Sequence, residues 1–307
     1  MFSGGVSDGQ LSLISEPSEG MAVFDKAITD AHRSVLLVMY ELDDRTIEAA
    51  LAADAKRGVR VRVLLDDGYY GEGAPQNKAA FNYLKGHDVP VRWTPNRFAL
   101  THQKTMVVDN RVAYIMTLNF TSAYYATSRD FAVVDRQPGD VNAIVGTFDS
   151  DWSNRTISPS NGNDLVWSPG ALPAQLKLID EAKHSIDIYD EEMDDPQITD
   201  ALSSAARHGV DVSVVMTANP KWDSAFSALT DAGAHVRLYS SASNTLYIHA
   251  KMILVDGREA VLESQNFSST SLDRNRELGI VFNAKPLIDS LLRTFAADYR
   301  GAVPFGN

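Results

Sequence analysis

The pattern His-x-Lys-x4-Asp occurs twice in this chain, at His102, Lys104 and Asp109 and again at His249, Lys251 and Asp256. Each copy continues in step to an Asn and then an acid, Asn119 and Asp130 in the first, Asn266 and Glu277 in the second. Corresponding positions stand 147 residues apart (249 − 102). Upstream the match continues at an offset of 151 (182 − 31): AHRSVLLVMYELDD at 31–44 with AKHSIDIYDEEMDD at 182–195, and ADAKRGVRVRVLL at 53–65 with SAARHGVDVSVVM at 204–216. Downstream, FDSDW at 148–152 matches FAADY at 295–299. Self-similarity at a fixed period means two copies of one structural unit. Polar residues held in register across both copies imply a single site assembled from the two halves.

Each half reads as strands alternating with helices. An opening helix (about 19–32; about 171–184) precedes a strand (35–40; 186–189) and a second helix that ends at Gly58 or Gly209. A β-branched strand follows (59–65; 210–216), then a third helix (about 77–86; about 222–232) and a short strand (89–93; 235–238). The His-Lys-Asp strand turns back on its neighbour through Asp109-Asn110 or Asp256-Gly257, pairs that suit a tight hairpin. A further strand (131–134; 278–282) and a last helix close the unit. The pattern predicts an α/β fold of two tandem α/β/α sandwich halves related by pseudo-twofold symmetry. The first half is expected over 1–152 and the second over 169–307. The Ser-, Asn- and Pro-rich stretch 153–168 is the expected linker.

Composition narrows the chemistry. There are no cysteines, so thiolate nucleophiles and Cys-ligated zinc are excluded. The net charge of −12 weighs against a general nucleic-acid binder, which needs a basic surface. No apolar run approaches the roughly 20 residues of a membrane span. The start MFSGGVSDGQ lacks the charged and apolar regions of a signal peptide. The chain is expected to be soluble, with its compartment open; a secreted form whose leader has been removed fits the same start.

In the His-x-Lys pair the two side chains are expected on one face of a strand. Lys104 and Lys251 are point charges suited to phosphate oxygens. Asn119 and Asn266 offer amide donors, with Thr117 and Ser264 on the same face as further substrate-binding groups. Such a cradle supplies the positioning and charge stabilisation that phosphoryl transfer needs, without metal or cofactor. One histidine can attack phosphorus while the other works as acid and then base. Asp130 and Glu277, with Asp109 and Asp256, are candidates to orient the imidazoles and raise their basicity. His32, His87, His184, His208 and His235 are read as ordinary.

Over about 11–300 the chain resembles the phospholipase D superfamily, marked by H-x-K-x4-D followed by Gly-Ser or Gly-Thr, x, Asn. The resemblance implies two α/β/α halves with the site between them, and metal-independent phosphodiester cleavage through a phosphohistidine. Carried over by motif, His102 is the nucleophile and His249 the general acid, then base; Lys104, Lys251, Asn119 and Asn266 bind phosphate. Asp130 and Glu277 orient the histidines, and Asp109 and Asp256 brace the motif's turn and lysine. The motif glycine is replaced by Met116 in one copy and Glu263 in the other. If the strand that carries them faces the cleft alternately, Met116 and Glu263 point away from Thr117 and Ser264; if they line the wall, they narrow the cleft, and Glu263 would repel an anion.

The first expectation for activity is phospholipase D: hydrolysis of the head-group phosphodiester, with transphosphatidylation. The alternatives are a nuclease of the same superfamily, a cardiolipin synthase-type phosphatidyltransferase and an inactive scaffold module. A phospholipid substrate and transient membrane-surface contact are expected, through 67–74 (DGYYGEGA), Tyr124-Tyr125 and Trp222. Nucleic acid is the lesser candidate, with Arg92–Arg97 and Arg274–Arg276 as its local positive charge. The duplication supplies both halves of the site, so no obligate protein partner is expected and the chain is read as a monomer.

Overall fold

The computed structural model describes residues 6–306; the first five residues, on which part of the leader reading rests, lie outside them. The first half runs β1 (Val6–Ser7), β2 (Leu11–Glu16), α1 (Ala22–Thr29), β3 (Ser34–Met39), α2 (Arg45–Lys56) and β4 (Arg60–Leu65). It continues through α3 (Pro75–Gly86), β5 (Val91–Trp93), β6 (Thr105–Val108), β7 (Val112–Met116), β8 (Ser128–Asp135) and α4 (Pro138–Trp152). The second half runs β9 (Leu165–Ser168), α5 (Leu172–Glu181), β10 (Ser185–Tyr189), α6 (Pro196–Arg207), β11 (Asp211–Thr217), α7 (Asp223–Asp231) and β12 (His235–Tyr239). It ends with β13 (Tyr247–Ile248), β14 (Lys251–Val255), β15 (Glu259–Glu263), α8 (Ser269–Asp273), β16 (Glu277–Phe282), α9 (Lys285–Gly301) and β17 (Val303–Pro304).

The strand orders match position for position: β2-β8-β7-β6-β3-β4-β5 in one sheet and β9-β16-β15-β14-β10-β11-β12 in the other. β1 extends the first sheet beside β2, and β17 extends the second beside β12. In each sheet the central strand pairs in parallel on one side (β3 with β4, β10 with β11) and antiparallel on the other (β3 with β6, β10 with β14). The fold is therefore the α/β duplication the repeat predicts. Pairing also crosses the halves: β13 adds in parallel to the start of β8, with Tyr247 opposite Ser128 and Ile248 opposite Arg129, and an isolated parallel bridge joins Thr101 to Arg276.

Local chemistry explains the shared elements. The Asp-Asp that ends each matched segment caps a helix: Asp44 accepts from the N–H of Thr46 and Ile47 at α2, and Asp195 from Gln197 and Ile198 at α6. Gly58 and Gly209, with φ of 94° and 90°, then carry the chain out of those helices in the left-handed region. Both residues of each hairpin turn, Asp109-Asn110 and Asp256-Gly257, also have positive φ, as a tight right-twisted hairpin requires.

β3 is buried throughout, and its side chains alternate between two cores. Val35, Leu37 and Met39 join the apolar cluster that also holds α1 and α2 residues such as Phe24, Ile28, Ile47 and Leu51. Leu36 and Val38 join a cluster shared by both halves, with Phe131, Met252, Leu254, Ile280, Ile144 of α4 and Leu291 of α9. A third cluster mirrors the first beneath α5, α6 and α7. The interface between halves is thus itself a hydrophobic core, which fixes one sheet against the other.

One expectation changes. Within 153–168, residues 165–168 are not connecting chain: they form β9, which pairs antiparallel with β16 and is buried. β2 occupies the equivalent place in the first sheet, paired with β8. No helix among the described residues is long and apolar enough to cross a membrane.

Candidate functional site

The segments leading into β6 and β14 each lie against the other half. Ala99 N donates to Arg274 O and Gln103 N to Arg276 O, while Arg276 N donates back to Leu100 O. In the second copy Tyr247 N donates to Thr127 O, and Ala250 N to Arg129 O at 2.8 Å. Each motif histidine is thereby delivered to the acid of the opposite half. His102 Nδ1 stands 2.8 Å from Glu277 Oε2, and His249 Nδ1 stands 2.8 Å from Asp130 Oδ1. The two pairs are crossed images of one another, and neither half contains a complete pair.

The acids are themselves held. Glu277 Oε1 accepts from Ser271 Oγ and from Asn275 Nδ2. Asp130 accepts from Thr117 Oγ1 and, on its other oxygen, from Ser128 Oγ at 2.6 Å. Burial acts to raise both carboxyls, but the histidine beside each, with nearby lysine charge, holds it below the usual carboxylate range. His102 is pushed down to about 4, first by burial and then by Lys104. Glu277 acts to raise the imidazole, as the sequence reading expects of an adjacent acid, but desolvation outweighs it and the net shift is downward. The result is a neutral imidazole whose Nδ1–H faces a carboxylate, with the lone pair on Nε2.

Lys104 and Lys251 are buried, and each donates to the carbonyl of its own motif histidine. Lys104 is lowered to about 7, by burial and then by repulsion from Lys251. Its ammonium lies 4.9 Å from the centre of the Tyr40 ring, and that ring meets His102 edge-on at 4.5 Å. Lys251 is treated differently: its Nζ lies 3.1 Å from Glu191 Oε2, which is also 3.7 Å from His249 Nε2. Tyr40 and Glu191 occupy matching positions of the repeat (191 − 40 = 151), so the two halves are chemically unlike at one critical point.

A cavity of about 1160 Å³ has His102, His249, Asn119, Asn266, Asp130 and Glu191 in its wall, while the buried Lys104, Lys251 and Glu277 stand behind that wall. In both asparagines the carboxamide oxygen is buried without a hydrogen-bond partner. Thr117 and Ser264, expected to touch substrate, are not among the lining residues. Thr117 Oγ1 is spent on Asp130 and on the N–H of Phe131, and Ser264 Oγ accepts from Leu278 N.

Met116 and Glu263 both point away from the cleft. Met116 packs in the apolar cluster under the first-half helices. Glu263 accepts from Gln175 Nε2 at 2.8 Å, and burial pushes its carboxyl well up. Its neighbour across the ladder is Gly279, where a Cβ would come within 2.6 Å of Glu263 Cβ.

Asp109 accepts from the N–H of His32, Arg33 and Ser34, and Asp256 from Lys183, His184 and Ser185. They brace the hairpin turn against the start of β3 and of β10, rather than bracing the lysines. Trp222 is buried in the second-half core, so it offers no membrane-facing ring, whereas Tyr69, Tyr70 and Tyr124 are exposed. Of the expected basic patch, Arg97 and Arg276 are both paired with Asp151.

Sequence reasoning missed Glu191, Tyr40, Tyr247 and the bracing Ser128, Ser271 and Asn275. A signal did exist for Tyr40 and Glu191, since they are mismatched in an otherwise matched segment. β13, two residues long, offered none.

The family model described as cardiolipin synthase, phospholipase D-like domain, matches residues 24–152 and 176–299. A cardiolipin synthase of Staphylococcus aureus is 24% identical over an alignment covering 92% of this chain and 66% of that protein. Cardiolipin synthase B of Escherichia coli is 26% identical, covering 90% of this chain and 78% of that protein. The chain thus spans 66% of the length of the staphylococcal relative. Among solved structures, the phosphatidylserine synthase of Haemophilus influenzae superposes with a TM-score of 0.74 over 98% of this chain and 88% of that one, at 12% identity. That likeness is one of fold.

Proposed function

The chain belongs to the phospholipase D superfamily, in the family of cardiolipin synthase-type phospholipase D-like domains, and from that premise we propose that it transfers a phosphatidyl group from a phospholipid phosphodiester to an alcohol, with water as a competing acceptor. The observation that carries the reading is the pair of crossed His–acid contacts opening into one cavity. Phospholipase D hydrolysis, the first expectation from sequence, becomes the side reaction. The synthase relatives support transfer over net hydrolysis. The pairing of Arg97 and Arg276 with Asp151 weakens the local feature that favoured a nuclease.

In the proposed chemistry the Nε2 lone pair of His102 attacks phosphorus as the bond to the leaving oxygen breaks. The proton on His249 Nε2 goes to that oxygen. The acceptor hydroxyl then attacks phosphorus, gives its proton to His249, and the N–P bond returns its electron pair to His102. Glu277 holds the His102 tautomer, and Asp130 does the same for His249. Lys104, Lys251 and the two asparagines stabilise charge on the non-bridging oxygens.

The test is one assay with three arms, using phospholipid in mixed micelles with glycerol, the same micelles without an added alcohol, and single-stranded DNA. Transfer product exceeding hydrolysis in the first arm, abolished by His102→Ala and His249→Ala, is the expected result. Cleavage of DNA with no phosphatidyl product in either micelle arm would overturn the reading.

A further inference from the structure

Glu191 has no counterpart in the first half, where Tyr40 stands, and nothing in the two-histidine chemistry requires it. It is seated where an anionic ligand of the site would sit. One carboxylate oxygen is 3.1 Å from Lys251 Nζ and 3.7 Å from His249 Nε2, so it takes a lysine donor and faces the reactive nitrogen. Its other oxygen accepts from Tyr247 OH, on the strand that crosses to β8. Burial acts to raise this carboxyl, but Lys251 and His249 together hold it far below the usual carboxylate range, so it is an anion at any working pH. A non-bridging phosphate oxygen would seek the same lysine donor and the same approach to His249 Nε2.

We infer that Glu191 is a built-in competitor for substrate: in the free protein its carboxylate occupies the second half's phosphate subsite, and a bound phosphodiester must displace it from Lys251. Three features make this a device of the site rather than ordinary ion pairing. Lys251 is fully buried, so its charge needs a partner when the site is empty. Glu191 is partly open to the cavity, with its side chain 28% exposed, so it has room to swing away. Tyr247 gives the carboxylate a second anchor, which sets how readily it leaves. Lys104 has the face of Tyr40 instead, a partner that does not compete with an anion. Among the described residues Lys104 has no carboxylate at ion-pair distance, so of the two buried lysines it is the second half's that is guarded.

The inference rests on the phosphate-binding reading above, and the experiment separates the two. Inorganic phosphate is titrated calorimetrically into the wild-type protein, Glu191→Gln, Tyr247→Phe and, as a comparison carboxylate in the same wall, Glu192→Gln, with far-ultraviolet circular dichroism verifying each fold. Glu191→Gln is expected to bind phosphate about tenfold more tightly, which is ~1.4 kcal/mol. Tyr247→Phe is expected to shift affinity in the same direction by less, and Glu192→Gln by no more than a few-fold. In turnover, Glu191→Gln should lower KM for phospholipid more than it changes kcat. Equal or weaker phosphate binding by Glu191→Gln, or a gain in Glu192→Gln of the same size, would overturn the competitor role while leaving the phosphate site standing. Absence of phosphate binding in every protein would overturn both.

Discussion

Replacing Glu277 with Gln tests the crossed wiring of the site at one atom. The carboxylate is fully buried and its oxygens are used unequally. Oε1 accepts from two donors, Ser271 Oγ and Asn275 Nδ2, while Oε2 faces His102 Nδ1 at 2.8 Å. A glutamine here satisfies both donors only by placing its carbonyl at the Oε1 position. Its NH2 then points at His102 Nδ1, which must accept rather than donate. The imidazole proton moves to Nε2, and the nucleophilic lone pair is lost. The carbonyl of Ser264, 3.1 Å from the same Nδ1, adds repulsion against the new lone pair. Loss of a charge-assisted bond alone costs about 1.5–3 kcal/mol. The wrong tautomer raises the total to about 4–5 kcal/mol, a fall of roughly 10³–10⁴-fold in the rate of phosphoenzyme formation. Rapid-quench single-turnover kinetics with phospholipid labelled in phosphorus measures that step directly. A fall of less than about tenfold in a folded Glu277→Gln protein would refute the assignment of Glu277 to His102.

The remaining predictions concern pH and the scaffold. Since His102 must be neutral to attack and is held down to about 4, kcat/KM should lose its acid limb only near that value rather than near the usual imidazole range. Lys104, lowered to about 7, loses its charge as pH rises through that value, so kcat/KM should fall on the alkaline side while kcat, with phosphate bound and favouring the charged lysine, falls later. A flat profile from pH 6 to 9 would contradict this. Asp109→Ala removes the acceptor for three backbone N–H groups and puts alanine at φ 56°, so it should cost roughly 2–3 kcal/mol of stability, read by urea denaturation, without selective loss of either chemical step. A variant as stable as wild type would remove Asp109 from its bracing role.

Much of this arrangement was written in the repeat. Two copies of His, Lys, Asn and acid in register fixed the expectation of one site between two α/β halves, because a pseudo-twofold duplication brings matched positions face to face. The Asp-Asp caps and the terminal glycines kept helix ends legible for the same local reasons in both copies. What the sequence concealed is relational. Nothing local tells that His102 meets Glu277 and not Asp130, because the choice is made by backbone pairing of 99–103 with 274–276 across the interface. Thr117 and Ser264 share a strand face with the asparagines in the pattern, yet their hydroxyls are consumed by Asp130 and by the backbone of β16. Leu165–Ser168 followed a Pro- and Asn-rich stretch and looked like more of it, because the strand it pairs with, β16, lies more than a hundred residues on. The imidazole basicity depended on how deeply His102 is buried, which no motif records.

The proposed chemistry forms one covalent intermediate on one histidine of a site built by both halves. It is tested most directly by locating the label. Phosphorus-labelled phospholipid is added to His249→Ala, the reaction is quenched in base to preserve phosphohistidine, and the digested protein is mapped by mass spectrometry. Label is expected on His102 alone, its accumulation lost when Glu277→Gln is added to the same chain. Label on another residue, or turnover by His102→Ala at the wild-type rate, would contradict it.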